Sequence, residues 1–353
     1  MSRFIQLHVL TSYPPSNLNR DDTGRPKTAL VGDANRLRVS SQSLKRAWRT
    51  SEAFESALAG HLGTRTKQIG RQVFDQLVEG GVGEKSAREW AKDIARQFGK
   101  PKSDKKTENN EDLDIEQLAH FSPEELAAIK ALVGRLIERK DKPTEDELKL
   151  LAHPRQAVDI AMFGRMLADS PAHNVEAAVQ VAHAITVHRA AVEDDYFSAV
   201  DDLNTRGATG AGHIGERGYG AGLFYLYIAI DRALLRKNLG HDDALTARAL
   251  AALVTAVTRV APTGMQNSFA SRAYAGYVMA EKGDQQPRSL AQAFLKPVKP
   301  YGEESLFDKA VGALETRCAN FDEVYGICAE SRQTVNVEKP QGRIDDLIRF
   351  VSE

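Results

Sequence analysis

Apolar residues occupy every second position in several stretches of the chain, a period typical of β-strands. In residues 4–10, Ile5, Leu7 and Val9 share one face and polar residues share the other, which predicts a strand that is buried on one side only. The same period predicts further strands over 158–163, over 179–188 and within 268–280. Alanine-rich neighbours also leave a helix possible over 179–188. The unbroken apolar run 223–230 predicts one more strand.

A helical period replaces this alternation between about 53 and 154. Apolar residues recur there every three or four positions, most clearly in 87–98 and 126–137. The segment 122–125 reads as a capping box with proline at the first helical position, and Thr144 with Glu147 reads as a second capping box. Further helices are predicted at 246–261, near 303–330 and at 343–351. Strands on both sides of a helical insertion predict an α+β fold.

Three stretches follow neither period and are predicted to be surface loops. Residues 11–27 contain three prolines, and residues 100–112 contain no large apolar side chain. Residues 207–222 contain seven glycines, which predicts an extended loop. Such a loop could reach a neighbouring molecule and insert an apolar side chain between bases, with His213 and Ile214 near its tip. A plain surface loop explains the composition equally well.

Composition narrows the classes of protein to consider. The chain has 353 residues, 42% of them hydrophobic, and a net charge of -1, so any affinity for nucleic acid must come from local clusters. Its two cysteines, Cys318 and Cys328, cannot form a disulfide framework and are expected to be reduced. There is neither a signal-peptide core nor an apolar run long enough to span a membrane. We therefore expect a cytoplasmic protein that does not contact a membrane.

One local cluster stands out between residues 34 and 51, which hold five basic residues and no acidic one. The basic residues are Arg36, Arg38, Lys45, Arg46 and Arg49. A helix capped by Ser40 or Ser41 would place Gln42, Lys45, Arg46 and Arg49 on one side. The core side would hold Leu44, Ala47 and Trp48. From the residues alone, a solvated basic face and a grip on a polyanion are equally good interpretations.

Other candidate chemistry is weaker. The glycines of 210–215 match G-x-G-x-x-G, but no strand precedes them and more glycines follow, so a nucleotide cofactor is not expected. His183 and His188 would point to opposite faces of a strand, which rules out a shared metal there. The acidic pairs at 194–195 and 201–202 could serve a metal-dependent nuclease, although such pairs are usually solvated caps. We expect neither a metal nor a catalytic site.

Seven segments, taken together and in the same order, resemble the backbone subunit (CasC type) of the type I-E CRISPR surveillance complex, Cascade. The segments are 4–10, 18–22, 38–47, 158–166, 181–188, 194–203 and 266–269. The helical insertion and the C-terminal part match only in general character. The resemblance implies a palm with a modified RNA-recognition (ferredoxin-like) fold, a helical fingers insertion and a long thumb loop. The palm would comprise 1–52 and 155–353, the fingers 53–154 and the thumb loop 192–222.

The resemblance also assigns residues to RNA contacts. Positions that grip the RNA backbone in the family fall on Arg20, Lys27, Ser40, Gln42, Lys45 and Arg49, and Arg46 lies in the same motif. Arg165 and Met166 match an element near a kinked base, and Phe197 and Ile214 are the apolar candidates of the thumb. Gln266 and Asn267 match a further segment, although Met265 stands where many members have lysine. Arg36 would add only to the general field.

The function implied is structural. Several copies would stack head-to-tail along one CRISPR RNA in a prokaryotic cytoplasm, kink it periodically and expose its bases for pairing with a target DNA strand. Other partners would be the large subunit, the small subunit, a CasD-type foot subunit and a CasE-type RNA-processing subunit. Members of this subtype are not enzymes and need no cofactor. Relatives in other subtypes cut RNA with a thumb aspartate, so the alternative is a metal-dependent RNase using Asp194, Asp195, Asp201 or Asp202.

Overall fold

Eleven strands and eleven helices make up the part of the chain that the computed structural model describes, namely residues 2–102, 107, 109–199, 213–299 and 302–353. The strands are β1 Phe4–Ser16, β2 Thr28–Val31, β3 Ala34–Val39, β4 Thr64–Thr66, β5 Ala119–Phe121, β6 Val179–Val181, β7 Ala184–Thr186, β8 Glu193–Ala199, β9 His213–Asp231, β10 Tyr277–Gly283 and β11 Ser331–Asn336. The helices are α1 Ser41–Arg49, α2 Glu52–Ala57, α3 Ile69–Glu79, α4 Glu84–Arg96, α5 Pro123–Arg139, α6 Val158–Phe163, α7 Arg232–Asn238, α8 Asp243–Arg259, α9 Gln266–Phe269, α10 Leu306–Tyr325 and α11 Ile344–Ser352.

These elements form two units. The first unit contains Met1–Phe54, Gln180–Ile230 and Leu250–Glu353. The second unit contains Glu55–Val179 and Asp231–Ala249. The second unit thus includes the helical stretch predicted at 53–154 from Glu55 onward, and also the segments that follow residue 154 and residue 230. The names palm, fingers and thumb belong to the resemblance and stay predictions.

The first unit is organised by a sheet whose strands run in the order β11-β10-β1-β9-β7-β3-β2, with β6 and β8 also paired to β9. Strand β1 pairs antiparallel with β10 from Phe4 opposite Gly283 to Leu10 opposite Tyr277. Both faces of β1 are buried, since Gln6 and His8 are as inaccessible as their apolar neighbours. The strand prediction for 4–10 is confirmed, but the expectation of one solvated face is wrong because the polar side chains find buried partners.

The second unit has a helical core. Helices α3, α4 and α5 pack around a cluster of buried apolar residues that includes Phe74, Trp90 and Leu132. Ser122 caps α5 and forms the predicted capping box with Glu125. Thr144 and Glu147 form the predicted hydrogen bonds as well, with Thr144 N–H donating to Glu147 at 2.9 Å, but they close a turn and not a helix.

The prediction of a strand over 158–163 is wrong, since these residues form α6. Alternation misled here because Val158, Ile160 and Met162 are fully buried in a short helix that is surrounded on all sides. Asp159 is buried too, and its carboxylate accepts hydrogen bonds from Gly63 N–H at 2.8 Å and from His120 Nε2 at 2.9 Å. A helix of six residues is too short for a helical period to be recognised in its sequence.

Strands and helices elsewhere follow the predictions with changed limits. Residues 179–188 form two short strands, β6 and β7, so the helix alternative is wrong there. The run 223–230 lies within the much longer β9. In 268–280 only the end is a strand, because β10 begins at Tyr277. The predicted C-terminal helices are α8, α10 and α11, and the strand β11 follows α10.

Two of the predicted loops are wrong in part. Strand β1 continues through Pro14 and Pro15 to Ser16, and Asn17 and Leu18 are buried. Asn17 Nδ2 donates to the carbonyls of Gly24 and Gly218, both at 2.9 Å, which ties this segment to β9. Of the glycine-rich segment 207–222, residues 213–222 belong to β9 and the others lie outside the described residues.

Among the described helices, none is both long enough and apolar enough to cross a membrane.

Candidate nucleic-acid interface

Helix α1 presents the polar side that the sequence predicts. Ser40 is its N-cap, with its hydroxyl accepting a hydrogen bond from Ser43 N–H at 3.3 Å. Leu44, Ala47 and Trp48 are buried, which confirms the predicted core side. The opposite side carries Gln42, Lys45, Arg46 and Arg49, and no acidic residue occupies the first turn. The basic side chains and Gln42 therefore share the side of α1 that faces away from the core.

Backbone hydrogen bonds bring a second predicted segment to the start of this helix. Asn19 Oδ1 accepts from Ser40 N–H at 2.9 Å, and the Asn19 carbonyl accepts from Lys27 N–H at 2.8 Å. The carbonyl of Lys27 in turn accepts from Arg38 N–H at 2.8 Å. Lys27 and Ser40, which are far apart in the chain, are thereby held beside each other. The convergence of these two predicted contacts is what an interface requires.

The positive charge is concentrated around His183, at the turn between β6 and β7. Burial is the largest cause that lowers the pKa of His183 below its usual 6.5, and Arg38, Lys27 and Lys45 lower it further. His183 Nδ1 lies 3.4 Å from the Arg38 guanidinium and 3.2 Å from Ser41 N–H. We call Lys27, Arg38, Lys45 and His183 the basic patch. A site with this charge favours anions and disfavours additional cations.

The segment between Arg20 and Pro26 forms a tight loop beside the basic patch. Asp21 Oδ1 accepts hydrogen bonds from the hydroxyl of Thr23 at 2.7 Å, from Thr23 N–H at 2.9 Å and from Arg25 N–H at 3.0 Å. These bonds, chiefly that of the Thr23 hydroxyl, lower the pKa of Asp21. Arg20 pairs with Pro26 at the base of the loop. The carboxylate of Asp21 is thus engaged in closing the loop that presents Arg20.

An open groove of about 340 Å³ lies between this loop and the start of β9. Its lining residues are Arg20, Thr23, Gly24, Arg25, Glu216, Arg217, Gly218 and Met265. Three guanidinium groups and one carboxylate give it a positive balance. Arg25 also pairs with Asp194 at 2.8 Å, which places β8 along the same groove. Met265 contributes an apolar wall.

Strands β8 and β9 form a two-stranded ribbon from Glu193 opposite Tyr219 to Ala199 opposite His213. Phe197 lies over Gly215, where an added Cβ would stand 2.3 Å from the phenyl ring, and the Arg217 guanidinium lies 4.4 Å from the ring centre. The side chains of His213 and Ile214 lie outside the description, as do residues 200–212 with Asp201 and Asp202. In the described ranges, no group of three His, Cys, Asp or Glu residues could hold a metal ion.

Arg165 does not reach a surface. Its side chain is only 1% exposed and pairs with the buried Glu125 at 2.7 Å. Its two terminal nitrogens also donate to the carbonyls of His120, Ala152 and His173. The prediction that Arg165 contacts RNA is therefore wrong for this structure, because the guanidinium is enclosed and engaged. Its neighbour Met166 is 76% exposed and stays a candidate.

Arg36 is the second basic residue that the sequence misplaces. It is fully buried and donates to the carbonyls of Thr186 at 2.9 Å and Phe294 at 2.8 Å. It therefore joins β3 to its neighbours and adds no charge to the surface. The alternation of β3 does not separate the two arginines, since Arg36 and Arg38 both lie on the face opposite Leu37, yet only Arg38 is partly exposed.

Gln266 holds its own loop together. Its Nε2 donates to the carbonyl of Pro262 at 2.6 Å and to the hydroxyl of Ser271 at 3.2 Å. Met265 and Ala270, on either side of α9, adopt left-handed backbone angles with φ of 50° and 46°. Asn267 is exposed. Of this predicted pair, only Asn267 has its side chain directed to solvent.

Four basic residues of this surface are not among those that the resemblance assigns to RNA: Arg25, Arg38, His183 and Arg217. Arg38 lay within the basic stretch that the sequence singled out. His183 was considered only as a metal ligand, and its position beside Arg38 depends on the pairing of β3 with β7. Arg217 lies in the glycine-rich segment that was read as a loop. Arg38, His183 and Arg217 could not be placed on this surface without knowing which strands are neighbours.

Comparisons with known proteins give the context of this surface. The chain matches the family model of CT1975-like protein over residues 5–347. A chain of a structure described as "CRISPR RNA-guided surveillance complex, pre-nicking" is 28% identical, with a TM-score of 0.83 over 99% of this chain and 100% of that chain. A chain of another structure, described as "CRISPR RNA-guided surveillance complex", is 25% identical, with a TM-score of 0.74 over 98% and 99%.

A comparison with curated protein sequences finds no match. The two structural matches confirm the predicted α+β fold with its antiparallel sheet and helices. They also confirm the resemblance to subunits of CRISPR RNA-guided surveillance complexes, without specifying the subtype. Because the family model covers nearly the whole length, the chain belongs to the CT1975-like protein family.

Proposed function

We propose that the chain is a CRISPR RNA-binding backbone subunit of a Cascade-type surveillance complex, of type I-E. The observation that carries the proposal is the basic patch beside the N-terminus of α1, in a chain whose whole length matches subunits of such complexes. Lys27, Arg38 and Lys45 each lie close enough to His183 to lower its pKa, so three positive charges are concentrated at one place. A polyanion is the kind of ligand whose charge complements them.

The residues would divide the work by chemistry. Lys27, Lys45 and Arg49 would neutralise phosphates, Arg46 and Arg20 would extend the positive path, and Ser40 and Gln42 would donate or accept hydrogen bonds along the backbone. Such contacts fix the position of a nucleic acid and carry no information about its sequence. The bases would therefore stay available for pairing with a target DNA strand.

The finer parts of the proposal concern assembly. Copies of the chain would stack head-to-tail on one RNA, and the thumb at 192–222 would kink the RNA at each copy. The β8–β9 ribbon supports this in one respect, since it projects Phe197 and Arg217 beside the groove that Arg20 lines. The other subunits of the complex, namely the large and small subunits, a CasD-type foot and a CasE-type processing subunit, would join this filament in the prokaryotic cytoplasm.

The test is to substitute Lys45→Ala together with Arg49→Ala and to measure RNA binding over a range of salt concentrations. The slope of log K against log salt is negative, and losing two phosphate contacts should make it shallower by about 1.4. The loss of affinity should be equal for guides of unrelated sequence. The control is Lys85→Ala with Lys130→Ala, which removes the same charge from the exposed sides of α4 and α5. An unchanged slope, or a loss confined to certain guides, would contradict the phosphate role.

We further propose that the chain is not an enzyme. Asp194, one of the aspartates that a metal-dependent RNase would use, is paired with Arg25, and a guanidinium at 2.8 Å competes with any metal ion for that carboxylate. The assembled complex should leave complementary RNA intact in the presence of magnesium, and regularly spaced cuts would instead establish the RNase.

A further inference from the structure

His183 has a fixed tautomer that follows from its neighbours. Its Nδ1 lies 3.2 Å from the backbone nitrogen of Ser41 and 3.4 Å from the guanidinium of Arg38. Both of these groups can only donate hydrogen bonds. Nδ1 must therefore carry the lone pair, and the hydrogen of the neutral ring must be on Nε2.

His188, five residues further on, has the opposite tautomer. Its Nδ1 lies 2.8 Å from the carbonyl oxygen of Arg189, which can only accept, and its Nε2 lies 3.2 Å from Leu223 N–H, which can only donate. The hydrogen of the neutral ring is therefore on Nδ1. The two histidines flank β7, but only His183 contacts the residues at the start of α1.

The contacts of His183 join two elements of the basic patch. Ser41 is the first residue of α1, directly after the cap Ser40. Arg38 is next to the end of β3, and its Nε also lies 3.5 Å from the carbonyl of Thr28. The Arg38 guanidinium is therefore held between a carbonyl and an imidazole, at a set distance from the helix N-terminus. Without the imidazole, one of these two supports is lost.

We propose that His183 is a positioning residue of the basic patch that works as a neutral imidazole, holding Arg38 and the N-terminus of α1 in the arrangement that receives an RNA backbone. This inference rests on the proposed function and adds a residue and a protonation state to it. The Nε2–H group is then an uncharged donor. Two neutral roles, an acceptor at Nδ1 and a donor at Nε2, are combined in one side chain.

Protonation would disrupt this arrangement. A hydrogen on Nδ1 would face Ser41 N–H and the Arg38 guanidinium, so that both contacts would be lost. The ring would also become a fourth positive charge beside Arg38 from β3, Lys27 from the segment before β2 and Lys45 from α1. Partial burial and these three cations hold the pKa of His183 below its usual 6.5, which keeps the ring neutral at physiological pH.

The test compares three substitutions in the full chain, with a single-stranded RNA of guide length as the probe. His183→Ala removes the acceptor and should weaken binding about fivefold, the effect of losing one hydrogen bond. His183→Asn retains an acceptor near Nδ1 and should bind within about twofold of the wild type. His183→Lys adds charge without an acceptor and should bind less tightly than His183→Asn. The salt slope should be the same for the wild type, Ala and Asn proteins.

A pH series separates positioning from charge. Because only the neutral ring positions the patch, the affinity of the wild type should not rise between pH 8 and pH 5.5. Tighter binding by His183→Lys than by His183→Asn, or a wild-type affinity and salt slope that both increase on acidification, would make His183 a cationic contact and overturn the proposal. His183→Asn falling as far as His183→Ala would overturn it as well.

His188→Asn is the matched control, and its RNA affinity should stay within about twofold of the wild type. Side-chain ¹⁵N spectra of the RNA-free protein at pH 7.5 should show hydrogen on Nε2 of His183 and on Nδ1 of His188. The reverse pattern at His183 would refute the inference whatever the protein binds. A wild type that binds no RNA while showing the expected tautomers would instead refute the proposed function, and the role of His183 in RNA binding with it.

Discussion

Basic residues in or near the segments that carry the family resemblance lie in opposite environments in the two units. Lys27, Arg38 and Lys45 are partly exposed in the first unit, and their positive charges all lower the pKa of His183. Arg165 in the second unit is enclosed and paired with Glu125. The family resemblance assigned both Lys45 and Arg165 to RNA, although only one is placed to reach it. A motif match therefore identifies positions that the fold needs, without separating contacts from supports.

The environment of Arg165 explains why the position matters without a ligand. Glu125 accepts hydrogen bonds from Ser122 N–H at 2.9 Å and from Ala152 N–H at 3.1 Å. Arg165 completes this set and also binds the carbonyls of Ala152 and His173. One buried ion pair thus joins the start of α5 to the segments that contain Ala152 and His173. A charged group is retained in an interior when it is paired and hydrogen-bonded, as the Glu125 carboxylate is here.

The largest effect should follow from breaking this pair. Arg165→Met leaves Glu125 as an unpaired buried charge and should lower the free energy of unfolding by about 3–5 kcal/mol. The loss is measured by unfolding the protein in denaturant and following the transition of the second unit. The RNA salt slope of the folded variant should be unchanged, because Arg165 contacts no phosphate.

Arg139 provides the matched control for that experiment. It pairs with Glu147 at 2.8 Å on the surface, with its side chain 34% exposed. Arg139→Met should therefore cost less than about 1 kcal/mol. Equal losses for the two variants would show that burial does not distinguish the pairs. A reduced salt slope in Arg165→Met would restore the direct RNA contact.

The first unit contains a buried charge network of its own, beneath the sheet. Glu281 pairs with Arg288 at 2.5 Å, with Arg332 at 2.6 Å and with His8 at 3.1 Å. Burial alone would raise the pKa of Glu281, but the hydrogen bonds from His8 and Arg288 outweigh burial and hold it well below its usual value. Burial is the main cause that lowers the pKa of His8 below 6.5, so this ring is buried in its neutral form.

A smaller effect should follow from His8, which makes the stability of the fold depend on pH. Below about pH 6.5 the unfolded chain binds a proton at this histidine more readily than the folded protein does. The contribution of His8 to the free energy of unfolding is therefore fully present above that pH and is lost as the pH decreases. At pH 5.5 the loss attributable to His8 is about 1.4 kcal/mol at most. Unfolding measured at pH 7.5 and at pH 5.5 should show this loss in the wild type and a smaller one in His8→Gln. The same loss in both proteins would assign the pH dependence to other groups.

What the sequence could predict differs between α1 and the β8–β9 ribbon. The cap, the core side and the basic side of α1 depend on residues within one another's reach along the chain, and all were predicted. The ribbon depends on Gly215, Gly218 and Gly220, which leave room for Phe197, Pro26 and Leu37. Those neighbours come from three other segments. Glycines that make space for distant side chains look the same in a sequence as glycines of a loop.

The burial of Arg165 and Arg36 could not be predicted from the sequence for the same reason. The partner of Arg165 is 40 residues away, and Arg36 binds carbonyls of Thr186 and Phe294 that are further still. Composition and period indicate where charge is concentrated, but the acceptors that would enclose a cation are not encoded near it. The overall α+β class was predictable because strand and helix periods are local.

The smallest effect concerns a cation between these extremes, Arg217, which is exposed but rests on Phe197. In Gly215→Ala the new methyl group would meet the phenyl ring, which is the free end of a side chain and can turn away. Turning the ring separates it from Arg217, and an exposed cation–π contact is worth about 0.5–1 kcal/mol. Gly134→Ala in α5, where nothing lies within 4 Å of the added methyl group, should instead stabilise by about 0.5–1 kcal/mol. A loss of stability in Gly215→Ala together with a gain in Gly134→Ala would show that the contact between Arg217 and Phe197 contributes to stability. A gain in both variants would show that Phe197 does not need the space above Gly215.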